Sequence, residues 1–138
     1  MIKKILIIDD DKGLCEEMTD ILEDEGYCVS VTFNGFNGKE LVEKNTYDII
    51  LLDLKLPGLH GLNILKFIKE KNKKIRVIVI TGSHFFLELH RKQWFYKNQE
   101  EYLLKLADAV IHKPFDVEIV LGKIKELAGQ QNHKTVTA

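Results

Sequence analysis

Five short strand-like runs, the second alternating and the others apolar, each followed by a stretch of helical period, are what most constrain this chain. The runs are Lys4 to Ile8, Cys28 to Phe33, Asp48 to Asp53, Ile75 to Ile80 and Ala109 to His112. The third is the most telling: Ile49-Ile50-Leu51-Leu52 is uninterrupted, ends on Asp53, and is closed by the turn pair Pro57-Gly58. A run with no polar alternation and turn chemistry behind it reads as a strand covered on both faces, as at the centre of a parallel sheet. Repeated strand and helix then imply parallel pairing, right-handed crossovers and helices on both faces. The fold class is therefore α/β, a five-stranded parallel sheet wound doubly.

The intervening segments supply the helices. From Lys12, Leu14, Met18, Ile21 and Leu22 share one face and Glu16, Glu17, Asp20 and Glu23 the other, with Asp11 as N-cap and Gly26 as stop. Asn34-Gly35 reads as a turn, with a short helix from Gly38 to Lys44. Leu62, Leu65 and Ile68 mark the inner face of a third helix that runs out in the solvated lysines of 69–74. Asp116 caps a last helix carrying Val117, Val120, Leu121, Ile124 and Leu127, which Gly129 is expected to end. Residues 130–138 read as a polar tail too poor in apolar side chains to order itself.

At 138 residues, 45% hydrophobic and 30% charged, the chain has the size and balance of one domain. Lys plus Arg (20) nearly cancels Asp plus Glu (21), so no global charge draws it to nucleic acid or to an anionic membrane. No apolar stretch approaches the roughly 18 residues of a membrane span, and no signal-peptide pattern follows Met1. A cytoplasmic location is expected. Cys15 and Cys28 fit neither a disulfide framework nor a metal spacing and are expected as small buried hydrophobes. The five histidines share no ligand spacing either.

In a parallel sheet the strand C-termini lie along one edge, where ligands bind. Asp9 and Asp10 after strand one, Asp53 at strand three, Thr81 at strand four and Lys113 at strand five therefore converge. Each has an ordinary alternative. Asp53 suits a turn cap, Asp9 and Asp11 a helix start, Thr81 a strand-end hydroxyl and Lys113 a solvated loop. Their joint placement outweighs these. Crowded carboxylates repel, and a divalent cation relieves them; oxygen donors without Cys or His favour Mg²⁺ or Mn²⁺. Carboxylates, such a cation, an ammonium and a hydroxyl together describe a site for a phosphoryl group.

Ile7-Ile8-Asp9-Asp10-Asp11, Asp53-Leu54-Lys55-Leu56-Pro57-Gly58-Leu59-His60-Gly61, Ile80-Thr81-Gly82 and Lys113-Pro114-Phe115 resemble the receiver domain of two-component response regulators, of the stand-alone chemotaxis-regulator type. The resemblance implies a flavodoxin-like strand order 2-1-3-4-5, with residues 1–129 as the receiver domain. It also implies that Asp53 accepts a phosphoryl group from a sensor histidine kinase, a phosphotransfer protein or a small phosphodonor. Asp10, Asp53 and the backbone carbonyl of Lys55 would ligate Mg²⁺, with Asp9 acting mostly through bound water. Lys113 would pair with Asp53 and then with the phosphoryl oxygens, and Thr81 would couple the phosphoryl group to the conformation of the strand4–helix4–strand5–helix5 face.

Two features depart from the family. The aromatic usual three positions before the strand-five lysine is Val110, which has no ring to swing between rotamers. The connection from Thr81 to Lys113 is also longer than the family's usual one, with an extended segment at 84–107. Leu87, Trp94, Leu103, Leu104 and Leu106 suggest that helix fills most of it. Phe85, Phe86, Arg91, Lys92, Trp94, Phe95 and Tyr96 either pack on that helix's own core or form a surface for a downstream protein or a homodimer; nucleic acid is the weakest of these readings.

The expected function is a phospho-acceptor switch that catalyses only its own phosphorylation and dephosphorylation, with output through protein contacts. Two rivals stand beside it. One is a pseudo-receiver that binds a partner without switching; the other is a Mg²⁺-dependent phosphohydrolase with its aspartates at strand one.

Overall fold

The computed structural model describes residues 3–82 and 94–137; side chains are described through residue 82 and from 99 to 129. Strands β1 (Lys4–Ile8), β2 (Cys28–Thr32), β3 (Ile49–Asp53), β4 (Arg76–Gly82) and β5 (Ala109–Lys113) form one parallel sheet in the order β2-β1-β3-β4-β5. This is the expected doubly wound topology. Between the strands lie α1 (Lys12–Asp24), α2 (Gly35–Lys44), α3 (Gly61–Lys71) and α4 (Trp94–Leu104), with α5 (Val117–Thr137) last.

Side chains alternate across the strands, so the sheet divides the core in two. Ile5, Ile7, Ile49, Leu51, Ile78 and Ile80 pack under Cys15, Met18 and Leu22 of α1 and Val120, Ile124 and Leu127 of α5. Leu6, Ile8, Ile50, Leu52, Val77 and Val79 pack under Val42 of α2 and Leu62, Leu65 and Ile68 of α3, with Leu103 and Leu104 of α4 against them. Both faces of β3 are covered, which is why its sequence shows no alternation.

Helix ends follow side-chain chemistry. Asp11 Oδ1 accepts from the Leu14 amide at 3.1 Å. The other end of α1 closes with Tyr27 N–H on the Leu22 carbonyl and Gly26 N–H on that of Glu23, Gly26 having φ +95°. That left-handed position is one a glycine occupies without strain.

Several expectations are corrected. Asn34-Gly35 is not a turn before a helix at Gly38, because the Asn34 side chain accepts from the Asn37 amide at 2.8 Å and starts α2 at Gly35. Asn favours turns and N-caps for the same reason, its short carbonyl reaching nearby backbone N–H groups. Gly129 does not end the last helix, and the backbone at 130–137 is helical rather than an unordered tail. A helical glycine costs only about 1 kcal/mol, and no proline follows to enforce a stop. Cys28 is exposed, at the start of an edge strand, whereas Cys15 is buried as expected. Under native conditions iodoacetamide is therefore expected to alkylate Cys28 alone, with Cys15 reacting only after denaturation; peptide mass mapping checks this.

At the sheet edge opposite the strand C-termini, Asp108 ties three segments together. Its carboxylate accepts from Lys69 Nζ at 2.7 Å, Arg76 at 3.2 Å and the Val77 amide at 2.8 Å, while its own amide donates to the Val77 carbonyl at 2.9 Å. Lys69 also donates to the Ile75 carbonyl at 2.7 Å. The knot fixes where α3, β4 and β5 meet.

Candidate phosphoryl site

The strand order brings Asp9, Asp10, Asp53, Thr81 and Lys113 to one edge. Asp9 follows β1 and is held beside β2 by its amide on the Thr32 carbonyl at 3.1 Å. Its Oδ1 accepts from the Asp11 amide at 2.9 Å and its Oδ2 from Lys113 Nζ at 3.0 Å. Asp53, the last residue of β3, accepts the Lys55 amide on Oδ1 at 3.0 Å and Lys113 Nζ on Oδ2 at 3.2 Å. One ammonium thus bridges two carboxylates that are almost fully buried (side chains 3% and 8% exposed). Asp10 is exposed at the mouth, and one carboxylate oxygen each from Asp9, Asp10 and Asp53 lie within 4.8 Å of one another.

The loop behind Asp53 is fixed by close backbone contact. The Gly61 amide donates to the Leu54 carbonyl at 3.2 Å, and a Cβ on Gly61 would stand 2.4 Å from Leu54 Cα. Any side chain there would push α3 off the segment that carries Lys55. His60 caps α3, its Nδ1 accepting from the Leu62 amide at 3.2 Å. Thr81 is 1% exposed at the end of β4, and its hydroxyl donates to the Gly82 carbonyl at 3.4 Å. Beside Lys113 an open hollow of about 490 Å³ is lined by Leu14, Phe115 and Val117, with Asp11 and Glu17 at its acidic side.

Burial, and then the charge of Asp9, push the Asp53 carboxyl up to about 6, against the opposing pull of the Lys55 amide and Lys113. Burial alone would lower Lys113, but Asp53 and Asp9 outweigh it and raise the ammonium above its ordinary value. Burial, then Asp9, push the Cys15 thiol up to about 12. The donor set fits a hard divalent cation, since three carboxylates converge with no Cys or His among the candidate ligands. One of the three is open to solvent, as entry of a hydrated ion requires.

The sequence had not indicated three contacts: the Lys113–Asp9 pair, the Lys55 amide on Asp53, and a Cys15 thiol donating to the Asp9 carbonyl at 3.3 Å. Val110 lies on β5, 36% exposed, in register with Val79. In the long connection, Leu103, Leu104, Leu106 and Ala107 pack on the core, while Tyr102 is 69% exposed. Phe85, Phe86, Arg91 and Lys92 lie outside the described residues, as do the side chains of Trp94, Phe95 and Tyr96.

Comparison with known proteins gives consistent results. The family model for the response regulator receiver domain matches residues 5–125. The response regulator ArlR of Staphylococcus saprophyticus is 36% identical over 133 residues, covering 96% of this chain and 56% of ArlR. Sporulation initiation phosphotransferase F of Bacillus subtilis is 34% identical over 128 residues, covering 91% of this chain and 94% of that protein. The chain spans about half the length of the curated relatives ArlR and DltR, but nearly all of the sporulation protein. Among solved structures, a CheY-like receiver domain from Methanospirillum hungatei superposes with a TM-score of 0.79 at 29% identity, covering 96% of this chain and 99% of that one. With the family match running through both halves of the sheet and the fold shared end to end, this chain belongs to the receiver domains of two-component response regulators.

Proposed function

We propose that the chain is a phospho-acceptor switch in which Asp53 takes a phosphoryl group from the phosphohistidine of a sensor kinase or phosphotransfer protein, or from a small phosphodonor, in the cytoplasm. The observation that carries this reading is the Lys113 ammonium shared between Asp9 and Asp53 beside an exposed third carboxylate. A lone pair on the Asp53 carboxylate forms the new O–P bond in line as the bond from phosphorus to the donor breaks, and the donor leaves with that electron pair. With its carboxyl at about 6, Asp53 is mostly ionised at neutral pH and competent to attack. Asp9, Asp10, Asp53 and the Lys55 carbonyl are the groups that would hold Mg²⁺, which when bound offsets charge on the phosphoryl oxygens. Lys113 then pairs with those oxygens, and the Thr81 hydroxyl turns from Gly82 toward them.

Response is read on the β4–α4–β5–α5 face. Val110 cannot contribute a ring movement there, so the displacement of Thr81 has to be transmitted by backbone and by α4 itself. That same residue favours the second reading, a pseudo-receiver with an intact acidic corner and a fixed face.

The test is intact mass after incubation with acetyl phosphate and Mg²⁺. The expected result is one phosphoryl adduct, mapped to the peptide containing Asp53 and absent when the metal is chelated. A folded, Mg²⁺-binding protein that takes no phosphoryl group from acetyl phosphate or from a phosphorylated histidine kinase would sink the switch and leave the pseudo-receiver. Hydrolysis of p-nitrophenyl phosphate with turnover would instead indicate a hydrolase.

A further inference from the structure

We propose that Cys15 is a positioning residue for the acidic corner, its thiol holding the Asp9 main chain so that the Asp9 and Asp53 carboxylates are set to share a cation. The inference rests on the phospho-acceptor reading and extends it to a side chain outside the ligand set. Asp9 is held at each of its polar groups: its amide by Thr32, Oδ1 by the Asp11 amide, Oδ2 by Lys113, and its carbonyl by the Cys15 thiol. The first two partners belong to the neighbouring strand and the following loop, and Lys113 belongs to β5. Cys15 is the partner that comes from α1, and it therefore fixes the corner against that helix.

The placement is secure. Cys15 is 2% exposed among core side chains, and its amide donates to the Asp11 carbonyl at 3.0 Å. Asp11 in turn caps the same turn through Leu14 and orients Asp9 through its own amide. The thiol thus closes a small ring of hydrogen bonds running from Asp9 through Asp11 and α1 back to Asp9. A thiol that only filled space would be replaceable by valine with no effect on cation affinity.

The experiment is a Mg²⁺ titration by calorimetry on the full chain and on Cys15→Ser and Cys15→Val, with amide hydrogen exchange at Asp11 measured in the absence of metal. Serine keeps a donor, and valine keeps the bulk without one. Loss of outer partners of metal ligands typically costs about 10- to 100-fold in affinity; for a bond to the main chain of the ligand, about 3- to 10-fold is expected for Cys15→Val. Cys15→Ser is expected to bind like the wild type, and the Asp11 amide is expected to exchange faster in the valine variant alone. Wild-type affinity and exchange in Cys15→Val, or a serine variant as weak as the valine one, would overturn the role. Should the valine variant not fold, Cys15→Ala supplies the same comparison with serine. Absence of Mg²⁺ binding in the wild type would count against the phospho-acceptor reading, and the metal-free exchange comparison would still decide the role of Cys15.

Discussion

Asp53→Asn is expected to take no phosphoryl group from acetyl phosphate, a loss of at least about 100-fold, since the amide offers no anionic oxygen for attack. The same variant is expected to melt at a higher temperature than the wild type in Mg²⁺-free buffer at pH 7. Burial and the Asp9 charge raise the Asp53 carboxyl to about 6, above its unfolded value, and this net shift already includes the attraction of Lys113. A carboxyl raised by folding destabilises the protein where it is ionised in both states, above about 6. That penalty fades as pH falls through this value and is gone below the unfolded value, near 4. The stabilising effect of asparagine should therefore be present at pH 7 and absent near pH 4. Mg²⁺ should raise the melting temperature of the wild type more than that of the variant. Intact mass and thermal melts at the two pH values, with and without Mg²⁺, check all of this; a variant less stable than the wild type at pH 7 would contradict the assigned charge balance.

Asp108→Ala is the second large effect, and it falls on the fold rather than on the chemistry. Removing the carboxylate leaves Lys69 and Arg76 without their shared anion and the Val77 amide without its side-chain acceptor. Stripping one partner from a buried ion pair costs about 3–5 kcal/mol. Lys69, Arg76 and Asp108 keep 12%, 22% and 16% of their side-chain surface, so water recovers part of this and about 3 kcal/mol is expected. In a domain of this size that lowers the melting point by about 10 °C. Asp108→Asn, which keeps an acceptor, should fall between. Urea denaturation at 10 °C measures both. Phosphorylation by acetyl phosphate at that temperature should be unchanged, because the knot and Asp53 occupy opposite ends of the strands.

The strands and the acidic edge were legible in the sequence for one reason. A residue such as Asp53 or Lys113 that interrupts an apolar run can sit at a strand end, where a charge meets solvent or a partner, and parallel topology then fixes which end. Asp108 was not legible, because an aspartate before a strand resembles any loop acid until Lys69 and Arg76 are brought to it by the fold. The exposure of Cys28 was missed although the order 2-1-3-4-5 already puts β2 at the sheet edge: cysteine is a residue type that packs readily inside, and its place at the start of an edge strand overrides that preference. Asn34 and Gly129 failed through ambiguity of residue type, since asparagine suits turns and caps alike and glycine interrupts helices only weakly. The contact of Cys15 with Asp9 joins residues six apart across a strand-to-helix turn, and no spacing rule anticipates it.

The exposed thiol on β2 also has a practical use. Cys28 begins the strand farthest from β5 in the sheet order and lies at the end of β2 away from the acidic corner. A maleimide-bearing biotin placed there would tether the native chain to a sensor chip in a single orientation. The phosphoryl site and the β4–α4–β5–α5 face would then point into the flow, and partner capture could be recorded before and after phosphorylation without an engineered anchor.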